Sequence, residues 1–147
     1  GLVADSEGPG KFRGGMGMER EFTFLAPEST ITVSSDRNKI HPWGVFGGKE
    51  AANAKCLFIQ EGKEIQLPSK ITRKVKQGER FRTVTSGGGG WGNPLERDYE
   101  KVRWDVLEDL VSIERARSEY GVAIDPETLE INKEETATLR GQGNKNA

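Results

Sequence analysis

Cys56-Leu57-Phe58-Ile59-Gln60-Glu61-Gly62-Lys63-Glu64-Ile65-Gln66-Leu67 reads as an apolar strand, a polar turn with a glycine, and a second strand. A short apolar run bounded by turn residues suits a buried strand, and Glu61-Gly62-Lys63-Glu64 suits the turn of a hairpin. Downstream, Ile71 to Val75 and Arg80 to Thr85 give two more strands, separated by a turn at Gln77-Gly78. Upstream, Met18 to Leu25 alternates, with Met18, Phe22 and Phe24 on one face and Glu19, Glu21 and Thr23 on the other, the pattern of a half-buried strand. Arg20 interrupts the apolar face, so it either snorkels or has a carboxylate partner. Pro27-Glu28 turns the chain into Thr30 to Ser35, with Ile31 and Val33 inward. Short strands at this spacing predict a mainly β fold, a compact antiparallel barrel or sandwich.

The character changes after Gly87-Gly88-Gly89-Gly90-Trp91-Gly92. Tyr99, Val102, Val106 and Leu110 recur at helical spacing and predict an amphipathic helix over about 96–109. Ser112 is placed to cap a second helix that carries Ala116 and Tyr120 and ends at Gly121. Residues 122–131 read as a brief extended piece, and the chain is helix-capable again from Glu134. The expected organisation is a β-rich domain with glycine-rich loops over 1–92, an α-helical C-terminal extension of two to three short helices over 93–140, and a disordered tail over 141–147.

Composition limits the function. The 147 residues are enough for one modest core. No window approaches the roughly 18 apolar residues of a membrane span, and the first residues are neither basic nor apolar enough for a secretory signal. A single cysteine, Cys56, excludes an internal disulfide and favours a cytoplasmic setting. With one histidine besides, His41, the chain lacks the Cys/His set of a structural zinc site, so no metal ligand is assigned. Residues 1–92 carry 14 Lys and Arg against 10 Asp and Glu, and residues 93–147 carry 8 against 13. Two solvated faces account for this before a partner surface does, and nothing resembles the basic stripe of a nucleic-acid binder.

The glycine clusters are the most unusual feature. Four consecutive glycines maximise the entropy lost on ordering. Bare backbone N–H groups could line an anion-binding pocket or admit another chain, although no GK[ST] follows to make a phosphate loop. Trp91 inside the run argues against a plain linker. Arg13-Gly14-Gly15 could set a guanidinium against an anion, or simply expose it in a turn. The irregular stretch Asp36 to Asn53 holds His41, whose expected role is packing or surface, with Asp36-Arg37 forming a local ion pair. Ser69 and Lys70 are adjacent in an extended segment and point apart, so they form no catalytic pair. Cys56 reads as buried packing, and Trp43 and Trp104 as core or interface anchors. No catalytic constellation is legible, and catalytic residues stay unknown.

Gly8-Pro9-Gly10-Lys11-Phe12-Arg13-Gly14-Gly15-Met16-Gly17 resembles the glycine-rich signature of the hydantoinase B/oxoprolinase family. Further segments match that family's C-terminal third in order: Ser35-Asp36-Arg37 with Pro42-Trp43-Gly44 and Gly47-Gly48, then Leu67-Pro68-Ser69-Lys70, then Gly78 with Gly87 to Gly92, then Asn93-Pro94-Leu95-Glu96-Arg97-Asp98. Asp105-Val106, Leu110-Val111-Ser112 and Tyr120-Gly121-Val122 are similar too, so the resemblance spans about 5–125. It departs from the pattern at Asn93, where the family usually has Asp, and at Glu50-Ala51-Ala52.

The resemblance implies the C-terminal part of a B-type subunit in an ATP-dependent cyclic amide hydrolase. A hydantoinase A-type subunit would bind ATP and phosphorylate the substrate carbonyl. An ATP-dependent ketone carboxylase component and a non-catalytic scaffold are the alternatives. No cofactor is expected on this chain; ATP and a divalent metal are expected elsewhere in the complex, the metal ligands in the N-terminal portion of a B-type subunit. That portion and the A-type subunit are the expected partners, with a homo-oligomer left open and neither nucleic acid nor membrane involved. Arg13, Gly14, Gly15, Arg37, Gly87, Gly88, Gly89, Gly90, Trp91 and Gly92 are the candidates for anion or partner contact.

Overall fold

The computed structural model describes residues 1–143. Seven strands come first: β1 (Leu2–Val3), β2 (Gly17–Thr23), β3 (Glu28–Ser34), β4 (Lys55–Gln60), β5 (Lys63–Gln66), β6 (Lys70–Lys76) and β7 (Arg80–Val84). A single 3-10 turn at Pro94–Glu96 leads into α1 (Tyr99–Leu107), α2 (Ile113–Tyr120) and α3 (Lys133–Gly143). The strands form an antiparallel five-stranded sheet in the order β1-β2-β7-β4-β5 and a two-stranded sheet, β3-β6. The result is an open sandwich rather than a closed barrel.

Local chemistry explains the turns. Glu61 and Gly62 both take positive φ (50° and 76°), the two-residue turn that matches the twist of a tight hairpin, so Lys63 and Glu64 already belong to β5. Gly78, at φ 84°, reverses the chain between β6 and β7, which enter different sheets. The sandwich core is Val33, Cys56, Phe58, Leu67 and Val75, with Phe24, Ile31, Ile71 and Phe81 packed against it. Arg73 enters this layer with its guanidinium 3.8 Å from the Phe58 ring centroid, where the ring's negative face meets a cation.

The expectation for the second strand needs correction. Every residue of β2 after Gly17 is exposed, and Phe22 is 50% exposed. The covering sheet is only two strands wide and does not reach β2, so alternation there marks a face without burying it. Arg20 does not snorkel over the core and meets no carboxylate among the described residues; its Nε lies 3.2 Å from Met18 Sδ.

The helices have a second core of Val102, Val106, Val111, Ala116, Tyr120, Val122 and Ile124. Asp98 accepts from the Glu100 and Lys101 amides at the start of α1, which therefore begins three residues later than the periodicity suggested. Ser112 Oγ accepts from the Arg115 amide, and Gly121 ends α2 in the left-handed conformation at φ 62°; both caps agree with the sequence. The extended piece survives as one antiparallel bridge, Ile124 to Ile131. Trp43 and Trp104 are 65% and 61% exposed, which removes the core reading for both. Of the tail expected over 141–147, residues 141–143 close α3 and the rest lies outside the described residues.

Candidate functional site

The glycine clusters converge. Three irregular segments, residues 6–15, 43–52 and 87–92, are laced by backbone hydrogen bonds into one knot. The Gly8 amide donates to Gly88 O (2.8 Å), Gly88 to Gly15 O (2.9 Å), Gly90 to Lys49 O (3.0 Å) and Lys49 to Pro9 O (2.7 Å). Trp91 and Phe12 exchange amide and carbonyl at 2.9 and 3.0 Å, and Val45 donates to Gly90 O at 2.9 Å. A side chain has no place at the crossings. A methyl group on Gly14 would overlap the Gly88 carbonyl, one on Gly89 the Trp43 carbonyl, and one on Gly90 the Pro9 carbonyl. The close main-chain approach that these glycines permit is between the chain's own loops.

This accounts for most of the residues singled out in the sequence. The amides of Gly14, Gly87, Gly88, Gly90, Trp91 and Gly92 all donate to carbonyls of this chain. Gly15 contributes its carbonyl and has open space around it. Arg13 points inward: its Nε donates to Asp105 Oδ1 at 3.0 Å and its terminal nitrogen to Gly14 O at 3.1 Å. Arg37, at φ 60°, lies 4.7 Å from the Trp43 ring centroid in place of the expected pair with Asp36.

Two buried ionic clusters pin the knot to the helices. Asp105 on α1 is 2% exposed and is shared by Arg13 and Arg97, whose terminal nitrogen donates to Oδ2 at 2.9 Å. Glu7 is fully buried; its Oε1 accepts from Arg115 Nε and from the Tyr120 hydroxyl, each at 3.0 Å, and its carbonyl accepts a second Arg115 nitrogen at 2.8 Å. Burial alone would lower the Arg115 pKa, but Glu7, with Asp5 and Glu119, raises it overall. Burial first and the Glu7 carboxylate second push the Tyr120 hydroxyl far above its ordinary range. Both groups therefore keep their protons. Glu7, Arg97 and Arg115 were given no role from the sequence. Arg13, Arg97, Asp105 and Tyr120 stood in quoted motifs, whereas Glu7 and Arg115 did not, and an isolated carboxylate in a loop announces nothing.

The rim of the knot is exposed and aromatic. Phe12 and Phe46 are 58% and 82% exposed, and their rings stand 5.5 and 5.6 Å from that of Trp91. Beside it a cleft of about 750 Å³ is bounded by Gly47, Lys49, Pro94, Leu95, Glu119 and Gly121. Lys49 and Glu119 pair across it at 2.6 Å. His41 lines a second cleft of about 370 Å³ and is held by its Nδ1 at 2.8 Å from Ala51 O. Among the described residues no group of three or more His, Cys, Asp or Glu side chains is placed to hold a metal ion. Of the charged groups that face the His41 cleft, Lys49 pairs with Glu119 and Arg115 with Asp5. No serine, threonine or cysteine among the described residues lines that cleft with His41.

The antiparallel sandwich is thus knotted by its glycine loops, stapled to the helices and bordered by an exposed aromatic rim. The chain belongs to the hydantoinase B/oxoprolinase family, whose profile matches residues 1–94. It is 40% identical over 142 residues to a protein of Pseudomonas sp. (strain NS671) named provisionally as the B-type subunit of a D-/L-hydantoinase, covering 95% of this chain and 24% of that one. It is 29% identical to the acetophenone carboxylase delta subunit of Aromatoleum aromaticum, over 92% of this chain and 25% of that one. The crystal structure of ATP-dependent caprolactamase from Pseudomonas jessenii superposes with a TM-score of 0.84 at 32% identity, over 96% of this chain and 25% of that chain. The chain thus spans about a quarter of the length of these relatives.

Proposed function

We propose that this chain is the C-terminal part, or a separate small subunit, of an ATP-dependent hydantoinase/oxoprolinase-type enzyme that opens cyclic amides. In this reading an A-type partner binds ATP and phosphorylates the substrate carbonyl, and the N-terminal portion of a B-type subunit carries the divalent metal. The complex works in the cytoplasm, a setting that suits the free, buried thiol of Cys56; no described helix is long and apolar enough to cross a membrane. The carrying observation is the glycine knot. It supplies a rigid platform in which the amides of Gly8, Gly14, Gly87, Gly88, Gly90 and Gly92 bond within the chain, and its rim, Phe12, Phe46 and Trp91, is left for partner contact. The family match and the likeness to an ATP-dependent caprolactamase support the amide-opening chemistry.

A second reading is a component of an ATP-dependent ketone carboxylase, favoured by the similarity to the acetophenone carboxylase delta subunit over nearly the whole chain. Reconstitution with the A-type and remaining B-type polypeptides separates the two. ATP turnover dependent on hydantoins, 5-oxoproline or lactams supports the first, and turnover dependent on a ketone and bicarbonate supports the second. Failure of the chain to join any such complex would leave a non-catalytic scaffold.

A further inference from the structure

The two sheets differ in width, and the difference leaves part of the larger sheet's core face open. Residues paired directly across antiparallel strands share a face, so Phe22, Phe81, Phe58 and Ile65 form one row on the inner side. Phe58 at its centre is fully buried, whereas Phe22 on β2 is half exposed. The next row, Arg20, Thr83 and Cys56, runs the same way, from exposed Arg20 to buried Cys56. Beyond it, Met18 faces Leu2, and both are exposed.

The covering sheet stops at β3, which has β6 on one side and, among the described residues, no strand on the other. A cleft of about 250 Å³ opens there, lined by Thr32, Val33 and Ser34 of β3 and by Cys56, Phe81 and Thr83 of the opposite sheet. One place therefore combines an unpaired strand edge, a gap between the sheets and an apolar floor continuous with the core. An unpaired edge offers alternating N–H and C=O groups that only another extended backbone satisfies in register.

Arg20 supplies the charge. It stands between Met18 and Phe22 on the floor and enters no ion pair among the described residues, its Nε meeting only Met18 Sδ. Its neighbours Glu19 and Glu21, on the opposite face, are held by Arg80 and Arg82. An occupant that matched this floor would carry an acidic side chain with apolar side chains two residues to either side. Because the floor continues the core, the contact has the character of an obligate interface, a core divided between two segments.

We propose that the free edge of β3 is completed by an extended segment of the remaining B-type polypeptide. It adds as a third strand above β2, its acidic residue on Arg20 and its flanking apolar residues on Met18 and Phe22. This rests on the reading of the chain as part of a B-type subunit. The test uses the full chain alone and in complex with its companion B-type polypeptide, comparing amide hydrogen exchange over residues 29–34. Exchange there slows at least ten-fold on assembly. Arg20→Glu and Phe22→Asp each weaken the association at least ten-fold with unchanged circular dichroism, while Ile65→Asp, at the far end of the same row, leaves it as in the wild type. A complex that forms with β3 exchanging at the free-chain rate, or that tolerates Arg20→Glu, overturns the strand while the B-type reading stands. If the wild-type chain forms no such complex, the B-type reading falls and the strand falls with it.

Discussion

The Tyr120 hydroxyl donates to Glu7 Oε1 at 3.0 Å, joining the end of α2 to a loop 113 residues earlier. Neither side chain has measurable solvent contact. A buried carboxylate stripped of a donor keeps its desolvation cost, so Tyr120→Phe should destabilise the fold by about 1–3 kcal/mol. Urea denaturation of the two proteins measures the difference.

The same pair sets an alkaline limit. Folding raises the Tyr120 pKa, through burial and then through Glu7. Above about pH 10 an unfolded tyrosine releases its proton while the folded one holds it, so the unfolded state binds fewer protons and stability falls as pH rises. Below the unfolded pKa this contribution is fully present. Melting temperatures between pH 8 and 11 should drop more steeply for the wild type than for Tyr120→Phe. Parallel curves would show that Tyr120 is not responsible.

The glycine knot allows a paired comparison. Gly14 and Gly15 are neighbours, yet a methyl group on Gly14 overlaps the Gly88 carbonyl while one on Gly15 meets open space. Gly14→Ala should cost about 3 kcal/mol, because backbone must move against backbone, and Gly15→Ala should stay within about 0.5 kcal/mol. Thermal melts of both variants check this, and equal losses would contradict the packing described.

Asp105 is the shared partner of Arg13 and Arg97, and it is almost fully enclosed. Asp105→Ala leaves two guanidinium groups uncompensated, with an expected loss of about 3–5 kcal/mol. Arg13 is the more exposed of the two cations, so Arg13→Ala should cost clearly less. A denaturation series on the three proteins ranks them.

Turnover gives a further check. The isolated chain should show neither hydrolase nor carboxylase activity toward hydantoins, 5-oxoproline, lactams or ketones, with or without ATP. Robust conversion by the chain alone would refute the supporting role.

What could be read beforehand follows from how local each signal is. The hairpin at Glu61-Gly62, the cap at Ser112 and the stop at Gly121 are specified within a few residues, and the structure places them where the pattern did. Ile31 and Val33 point inward because their own alternation requires it. The exposure of Phe22 was not legible, since it depends on how wide a sheet the rest of the chain can lay over it. The glycine runs announced a close approach without saying to what; their partners in the other loops lie 35 to 81 residues away along the chain. Arg13 read as a surface guanidinium because Asp105, 92 residues on, is invisible from its neighbourhood. Arg37 finds an aromatic ring where a carboxylate stood next to it in sequence.

The staples between residues 5–13 and 105–120 also impose an order of events during synthesis. Residues 5–13 leave the ribosome well before α1 and α2, so their carboxylates gain their counter-charges only after those helices have emerged. Until then Glu7 stays hydrated and the loop samples many shapes, so closure waits for the most distant contacts and is slow for a molecule of this size. A nascent chain halted before residue 105 should therefore be cut readily by protease within residues 1–17, and one extended through α2 should resist.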